Sequence, residues 1–63
     1  MFGKRYKLEI WLDKVMISVP FDNKEELYMF MFSLHSMNSV LIYMVWDVEY
    51  NHLLDVMTPK EDD

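Results

Sequence analysis

Residues 22–32 read DNKEELYMFMF, a helix start followed by six consecutive apolar residues. Asp22 or Asn23 suits the N-cap position, and the two glutamates fall in the first turn, where the helix dipole favours negative charge. Consecutive residues on an α-helix point about 100° apart, so six apolar residues surround the helix. A domain of 63 residues cannot cover every side of a helix with its own core. Part of this helix is therefore expected to contact another molecule.

The helix is expected from about Lys24 to Met37. Two strands are predicted before it. Apolar and polar residues alternate over residues 6–12, a period of two that is typical of a half-buried strand. A second strand follows a tight reversal at Asp13-Lys14, and Pro20 is expected to end it because proline cannot donate to a ladder. The inward side of this second strand is predicted to consist of Val15, Ile17 and Val19.

A third strand is predicted from Val40 to Tyr50, after Asn38 ends the helix. One of its faces is Val40, Ile42, Met44, Trp46 and Val48, and the other is Leu41, Tyr43, Val45, Asp47 and Glu49. The first half is apolar on both faces, as in a strand covered by its own helix and by something beyond. The right-handed crossover rule places this strand beside the first one, as an edge that needs covering.

The predicted fold class is therefore α+β: a three-stranded antiparallel sheet with one main helix, in the order strand-strand-helix-strand, pairing into a homodimer. The dimer interface is predicted at Val40, Ile42, Met44 and Trp46. Residues 1–63 are expected to form a single domain, with an ordered core over about 5–52 and an acidic tail over about 55–63. Residues 52–54 are expected to form no more than a short turn that packs against the rest of the domain.

Eleven acidic residues against six basic ones give a net charge of −5, which disfavours binding to nucleic acid. The chain has no cysteine, and two histidines are too few for a zinc site, so no metal or cofactor is expected. No stretch approaches the roughly 18 apolar residues of a membrane span, and no signal peptide is recognisable, so a cytoplasmic location is expected. Neither a phosphate-binding loop nor a serine-histidine-acid context is evident, and an enzyme is not expected.

The predicted helix carries two stripes. Leu27, Phe30, Met31 and Leu34 follow the i, i+3, i+4, i+7 spacing and are predicted to lie on the sheet. The second stripe consists of Glu25, Tyr28, Met29 and Phe32, with His35 continuing it. Either the hairpin or the C-terminal tail covers this stripe, or it is an interface, for which aromatic residues and methionine are typical. We expect an interface.

The element order and the helix motif Glu25-Glu26-Leu27-Tyr28 resemble the small uracil-DNA glycosylase inhibitors encoded by some bacteriophages. The resemblance covers roughly residues 6–50. Members of that family are acidic homodimers of a three-stranded sheet plus helix, and the helix carries a glutamate three residues ahead of a tyrosine. The family has an aromatic residue directly before this glutamate, where the present chain has Lys24. Candidates to replace that ring are Met29, Phe32 and Trp11.

The resemblance implies a DNA mimic whose acidic side chains stand in for phosphates. An apolar pocket across the dimer then takes in the leucine that the glycosylase inserts into DNA. The candidate phosphate mimics are Glu25, Glu26, Asp47 and Glu49, with Asp47 and Glu49 expected on a solvated face; the candidate pocket walls are Tyr28, Met29, Phe32 and Trp46. The expected partners are host uracil-DNA glycosylase and a second copy of the chain. The alternatives are an inhibitor of another host enzyme, such as RNA polymerase or a nuclease, and a self-associating structural module.

Overall fold

The computed structural model describes residues 4–37 and 40–59. Its elements are β1 (Tyr6–Leu12), β2 (Val15–Phe21), α1 (Lys24–Met37), β3 (Ile42–Asp47) and β4 (His52–Met57). The strands form one antiparallel sheet in the order β2-β1-β3-β4, and α1 packs on one face of it. The α+β class and the bounds of the helix are confirmed. The three-stranded sheet is corrected to a four-stranded one.

The helix begins at a side-chain cap. The backbone N–H of Glu26 donates to the side-chain oxygen of Asn23 at 2.9 Å, so Asn23 rather than Asp22 is the N-cap. This contact satisfies one of the backbone donors that every helix start leaves without an internal partner. The predicted helix terminator, Asn38, lies outside the described residues.

The core lies between the helix and the two central strands. Leu8 of β1 pairs with Val45 of β3, and Ile10 pairs with Tyr43, so alternate residues of both strands point to the helix. The helix contributes Leu27 and Met31, and the buried cluster as a whole is Leu8, Ile10, Leu27, Met31, Leu41, Tyr43 and Val45. The predicted division of the third strand into two faces is confirmed over β3.

The fourth strand corrects the prediction that the third strand is an edge. β4 pairs with β3 from Tyr43↔Met57 to Asp47↔His52, which leaves β2 and β4 as the edges. β3 ends at Asp47, and residues 48–51 turn the chain, with Asn51 in the left-handed region at φ 51°. Ordered structure therefore continues past residue 52, where the core was expected to end. Residues 60–63 of the expected tail lie outside the described residues.

The outer strand β2 departs from prediction in two ways. It continues through Pro20 to Phe21, because a proline is tolerated where its missing N–H faces away from the sheet, on an edge strand. Val15 and Ile17 lie on the helix side of the sheet, as predicted, but they are exposed. The helix does not cover this end of the hairpin, and only Val19 of the three packs against the core. Among the described residues, no helix is long and apolar enough to cross a membrane.

Candidate protein-binding surfaces

The first surface lies on the outer side of the helix and consists of Glu25, Glu26, Tyr28, Met29 and Phe32; we call it the helix surface. Met29 is 70% exposed and Phe32 is 53% exposed, large fractions for apolar side chains. The rings of Tyr28 and Phe32 stack with their centroids 5.9 Å apart. Aromatic residues and methionine are enriched in protein interfaces, and charged groups such as the two carboxylates belong to the polar rim of an interface.

Tyr28 links this surface to the fourth strand. Its hydroxyl donates to Asp55 of β4 at 3.3 Å, and the ring is half-buried. Burial, together with the charge and the hydrogen bond of Asp55, raises the pKa of Tyr28 above its ordinary value. The C-terminal segment thus covers Tyr28, as one of the two alternatives predicted, but it leaves Met29 and Phe32 exposed. Asp55 adds a carboxylate that was not among the predicted site residues.

The four predicted phosphate mimics separate into two pairs. Glu25 and Glu26 are exposed, and neither forms an ion pair with any described residue of the chain. Asp47 and Glu49, in contrast, share the guanidinium of Arg5, at 3.2 Å and 3.5 Å respectively. The first pair therefore presents uncompensated negative charge, whereas a basic residue of the chain itself offsets part of the charge of the second.

The expectation that Asp47 lies on a solvated face is wrong, since its side chain is buried at the end of β3. Burial alone would raise the pKa of this carboxyl, but the hydrogen bond and charge of Arg5, together with backbone hydrogen bonds from Tyr50 and Glu49, outweigh it and lower the pKa below the ordinary value. The backbone N–H of Glu49 also donates to the Asp47 carboxylate, at 3.1 Å. Asp47 thus fixes the turn between β3 and β4 to the start of β1.

The Arg5–Asp47 pair predicts acid sensitivity. Because the pKa of Asp47 is lower in the folded chain than its unfolded value of about 3.9, its contribution to stability is complete above that pH. The contribution falls as the pH drops through the folded pKa. We expect Asp47→Asn to lower the free energy of unfolding at pH 7 and to flatten its decline in acid, as measured by urea unfolding. Asp22→Asn, which removes the exposed pair with Lys4, is the control and should have little effect.

The second surface is the side of the sheet away from the helix, which we call the open sheet face. Its apolar residues are Trp11, Met16, Ile42, Met44, Trp46, Leu53 and Val56. Three of the four residues predicted for the dimer interface, Ile42, Met44 and Trp46, lie together here. The fourth, Val40, precedes β3 and is exposed. The register of the sheet brings in the other four residues, which the sequence alone did not assign to the dimer interface.

The charged groups of the open sheet face bind one another. The ammonium of Lys7 lies 3.4 Å from the carboxylate of Glu9, which is only 13% exposed. The indole N–H of Trp46 donates to the same carboxylate at 3.0 Å, and the Lys7 ammonium lies 5.8 Å from the centre of the Trp46 ring. The positive charge of Lys7 and the negative charge of Glu9 therefore neutralise each other, and the rest of the open sheet face is largely apolar.

The structure qualifies one further prediction about a side chain and corrects another. Phe30, predicted on the sheet, is 39% exposed and packs at the margin of the core against Phe21, with ring centroids 5.6 Å apart. Trp11, one candidate for the aromatic position beside Glu25, lies on the opposite side of the sheet from the helix. Phe32, which stacks on Tyr28, supplies an aromatic ring to the helix surface instead.

Within residues 4–37 and 40–59, the chain has no pocket and no group of three or more histidine, aspartate or glutamate side chains placed to hold a metal ion. The helix surface and the open sheet face are thus shallow surfaces on opposite sides of the molecule. Comparison of the chain with protein-family models, with curated proteins and with solved structures finds no match.

Proposed function

We propose that the protein is a non-enzymatic inhibitor that binds and blocks host uracil-DNA glycosylase in the cytoplasm of a phage-infected cell. The observation that carries the proposal is the helix surface, where two uncompensated carboxylates adjoin exposed apolar side chains. Glu25 and Glu26 act as phosphate mimics. Met29 and Phe32 form the apolar part of the contact, beside Tyr28.

Charge complementarity supports an enzyme that binds DNA as the target. Such an enzyme has a basic groove, and an acidic protein of net charge −5 is steered toward it. Asp55, which lies beside Tyr28, extends the acidic margin of the helix surface. Asp47 and Glu49 are not included in the proposed contact, because both already form ion pairs with Arg5.

Apolar contact supplies the part of the affinity that carboxylates cannot. Burying one leucine side chain of the enzyme contributes roughly 1.5–3 kcal/mol. Methionine suits this task because its flexible, unbranched side chain adapts to the shape of an incoming group. Binding is therefore expected to weaken only partly as the salt concentration is raised, since screening affects the charges and not the apolar contact.

We expect a molar excess of the protein to suppress uracil excision from DNA by a bacterial glycosylase. The double variant Glu25→Gln/Glu26→Gln should require at least about tenfold more protein for half-inhibition, since hydrogen bonds to charged groups contribute roughly 1.5–3 kcal/mol each. Asp22→Asn is the matched control, because it removes an exposed carboxylate that is paired with Lys4. Undiminished excision with the unaltered protein would refute the proposal.

The same two variants can also show whether the target is a different DNA-binding enzyme. If excision is unaffected, transcription by bacterial RNA polymerase and cleavage by host nucleases can be assayed with the same pair of variants. Inhibition that the glutamine variant relieves and the Asp22 variant retains would transfer the proposal to that enzyme. Inhibition that both variants retain would exclude the helix surface as the binding site.

A further inference from the structure

We propose that two copies of the chain pair through their open sheet faces, one sheet packed on the other, with the helices on the outside. This inference goes beyond the proposed function by assigning a surface to self-association, and it does not depend on the identity of the target enzyme. A second copy is the occupant that the charge, the size and the composition of the face favour.

The charge of the open sheet face suits an identical partner. Each chain carries a net charge of −5, so two copies repel unless they meet through a neutral surface. On the open sheet face the charged side chains are Lys7 and Glu9, which pair with each other, and the acidic residues of the helix surface lie on the opposite side. Closing two such faces therefore buries no unpaired charge, whereas a strongly charged partner would find no complementary group.

The size of the face suits a weak dimer. Four strands about 4.8 Å apart and up to seven residues long, at about 3.3 Å per residue, give a face of on the order of 400 Å² in projection. The largest apolar patch on a typical soluble monomer is about 300–600 Å² and is often functional. Two such faces amount to about 800 Å², which is less than the roughly 1,200 Å² that stable interfaces bury and falls in the range of weak or transient complexes. The dimer is therefore expected to dissociate on dilution.

The composition of the face also suits a self-complementary interface. In a twofold dimer the same patch of both chains forms the interface, so each side chain packs against side chains of the identical patch in the other copy. The flexible side chains of Met16 and Met44 can adapt to the identical face of the other copy, and tryptophan and methionine are enriched in interfaces. Packed sheets lie about 10 Å apart, with the side chains of both inner faces between them.

This arrangement has a consequence for stoichiometry. With the sheets in the middle, the two helix surfaces face opposite directions, and no pocket can form between them. Each helix surface then binds a target independently, so one dimer is expected to bind two enzyme molecules. A pocket built across the dimer, which the family resemblance implied, would instead give one enzyme per dimer.

Tryptophan fluorescence tests the inference without any substitution. The chain has two tryptophans, Trp11 and Trp46, and both lie on the open sheet face. As the protein concentration is raised from nanomolar to high micromolar, we expect sedimentation velocity to show dimer formation. Over the same range, acrylamide quenching of the tryptophans should fall. A monomer at every concentration would overturn the inference, as would a dimer whose tryptophans stay equally accessible, since that dimer pairs through strand edges or helices.

Two lysine variants locate the interface. Met44→Lys places a charge at the centre of the open sheet face, and its position across from Glu9 lets the single chain accommodate the ammonium. We expect this variant to stay folded by circular dichroism, to become monomeric and still to inhibit excision. Met29→Lys is the control: it should stay dimeric but inhibit less. The reverse result for the oligomeric state would overturn the inference, whereas dimers that never inhibit would refute only the proposed function.

Discussion

A chain that ends after Asn51 should fail to fold. It lacks β4, so β3 becomes an exposed apolar edge, and the core loses the packing of Met57. The hydrogen bond between Tyr28 and Asp55 disappears as well. A chain of this size has a stability of only roughly 3–5 kcal/mol, so the loss of one strand in four exceeds the reserve. We expect no cooperative thermal transition by circular dichroism, and aggregation at micromolar concentration.

The matched control is a chain that ends after Pro59, which retains all four strands and removes residues 60–63, one lysine and three acidic residues. It should unfold at nearly the temperature of the full chain. A cooperative transition at an unchanged temperature in the shorter chain would show that β4 contributes little to stability. In that case the three-stranded arrangement expected from the sequence would be sufficient for the fold.

The local pattern of the sequence predicts the fold wherever one periodicity persists. The helix from Lys24 to Met37 and the two faces of β3 follow from spacing, whereas the sequence offers Asp22 or Asn23 as the cap and the structure selects Asn23. The strand β4 does not, because a register shift opposite Val45/Trp46 leaves Leu54 without a partner. This bulge interrupts the period of two within six residues, so the segment reads as a short turn.

The surfaces were harder to predict because they depend on which strands become neighbours. The pairing of Asp47 with Arg5 joins residues 42 positions apart, and neither residue shows it in its local sequence. The open sheet face likewise needs four strands in register before Trp11, Met44 and Val56 can be recognised as parts of one patch. The sequence does show that β3 is apolar on both faces. This pattern indicates that a second layer covers the strand, but it does not identify the other residues that this layer covers.

Substitutions within the run 27–32 should separate folding from binding. Leu27 is fully buried between the helix and the sheet, so Leu27→Ala leaves a cavity and is expected to cost about 2–5 kcal/mol. That loss equals much or all of the stability of so small a domain. Met29, two residues further along, is 70% exposed, and Met29→Ala should change the free energy of unfolding by no more than about 0.5 kcal/mol.

Urea unfolding at one fixed protein concentration measures both effects, and the fixed concentration matters because self-association adds to the apparent stability. In the excision assay, Met29→Ala should lose more inhibition per folded molecule than Leu27→Ala does, which is the opposite of their order in loss of stability. Met29→Ala should weaken inhibition although its stability is unchanged, because it removes apolar contact with the enzyme. Leu27→Ala, assayed at low temperature where a folded fraction remains, should inhibit in proportion to that fraction. If Met29→Ala destabilises the chain as much as Leu27→Ala does, the exposed stripe belongs to the core, and the helix surface is not available to a partner.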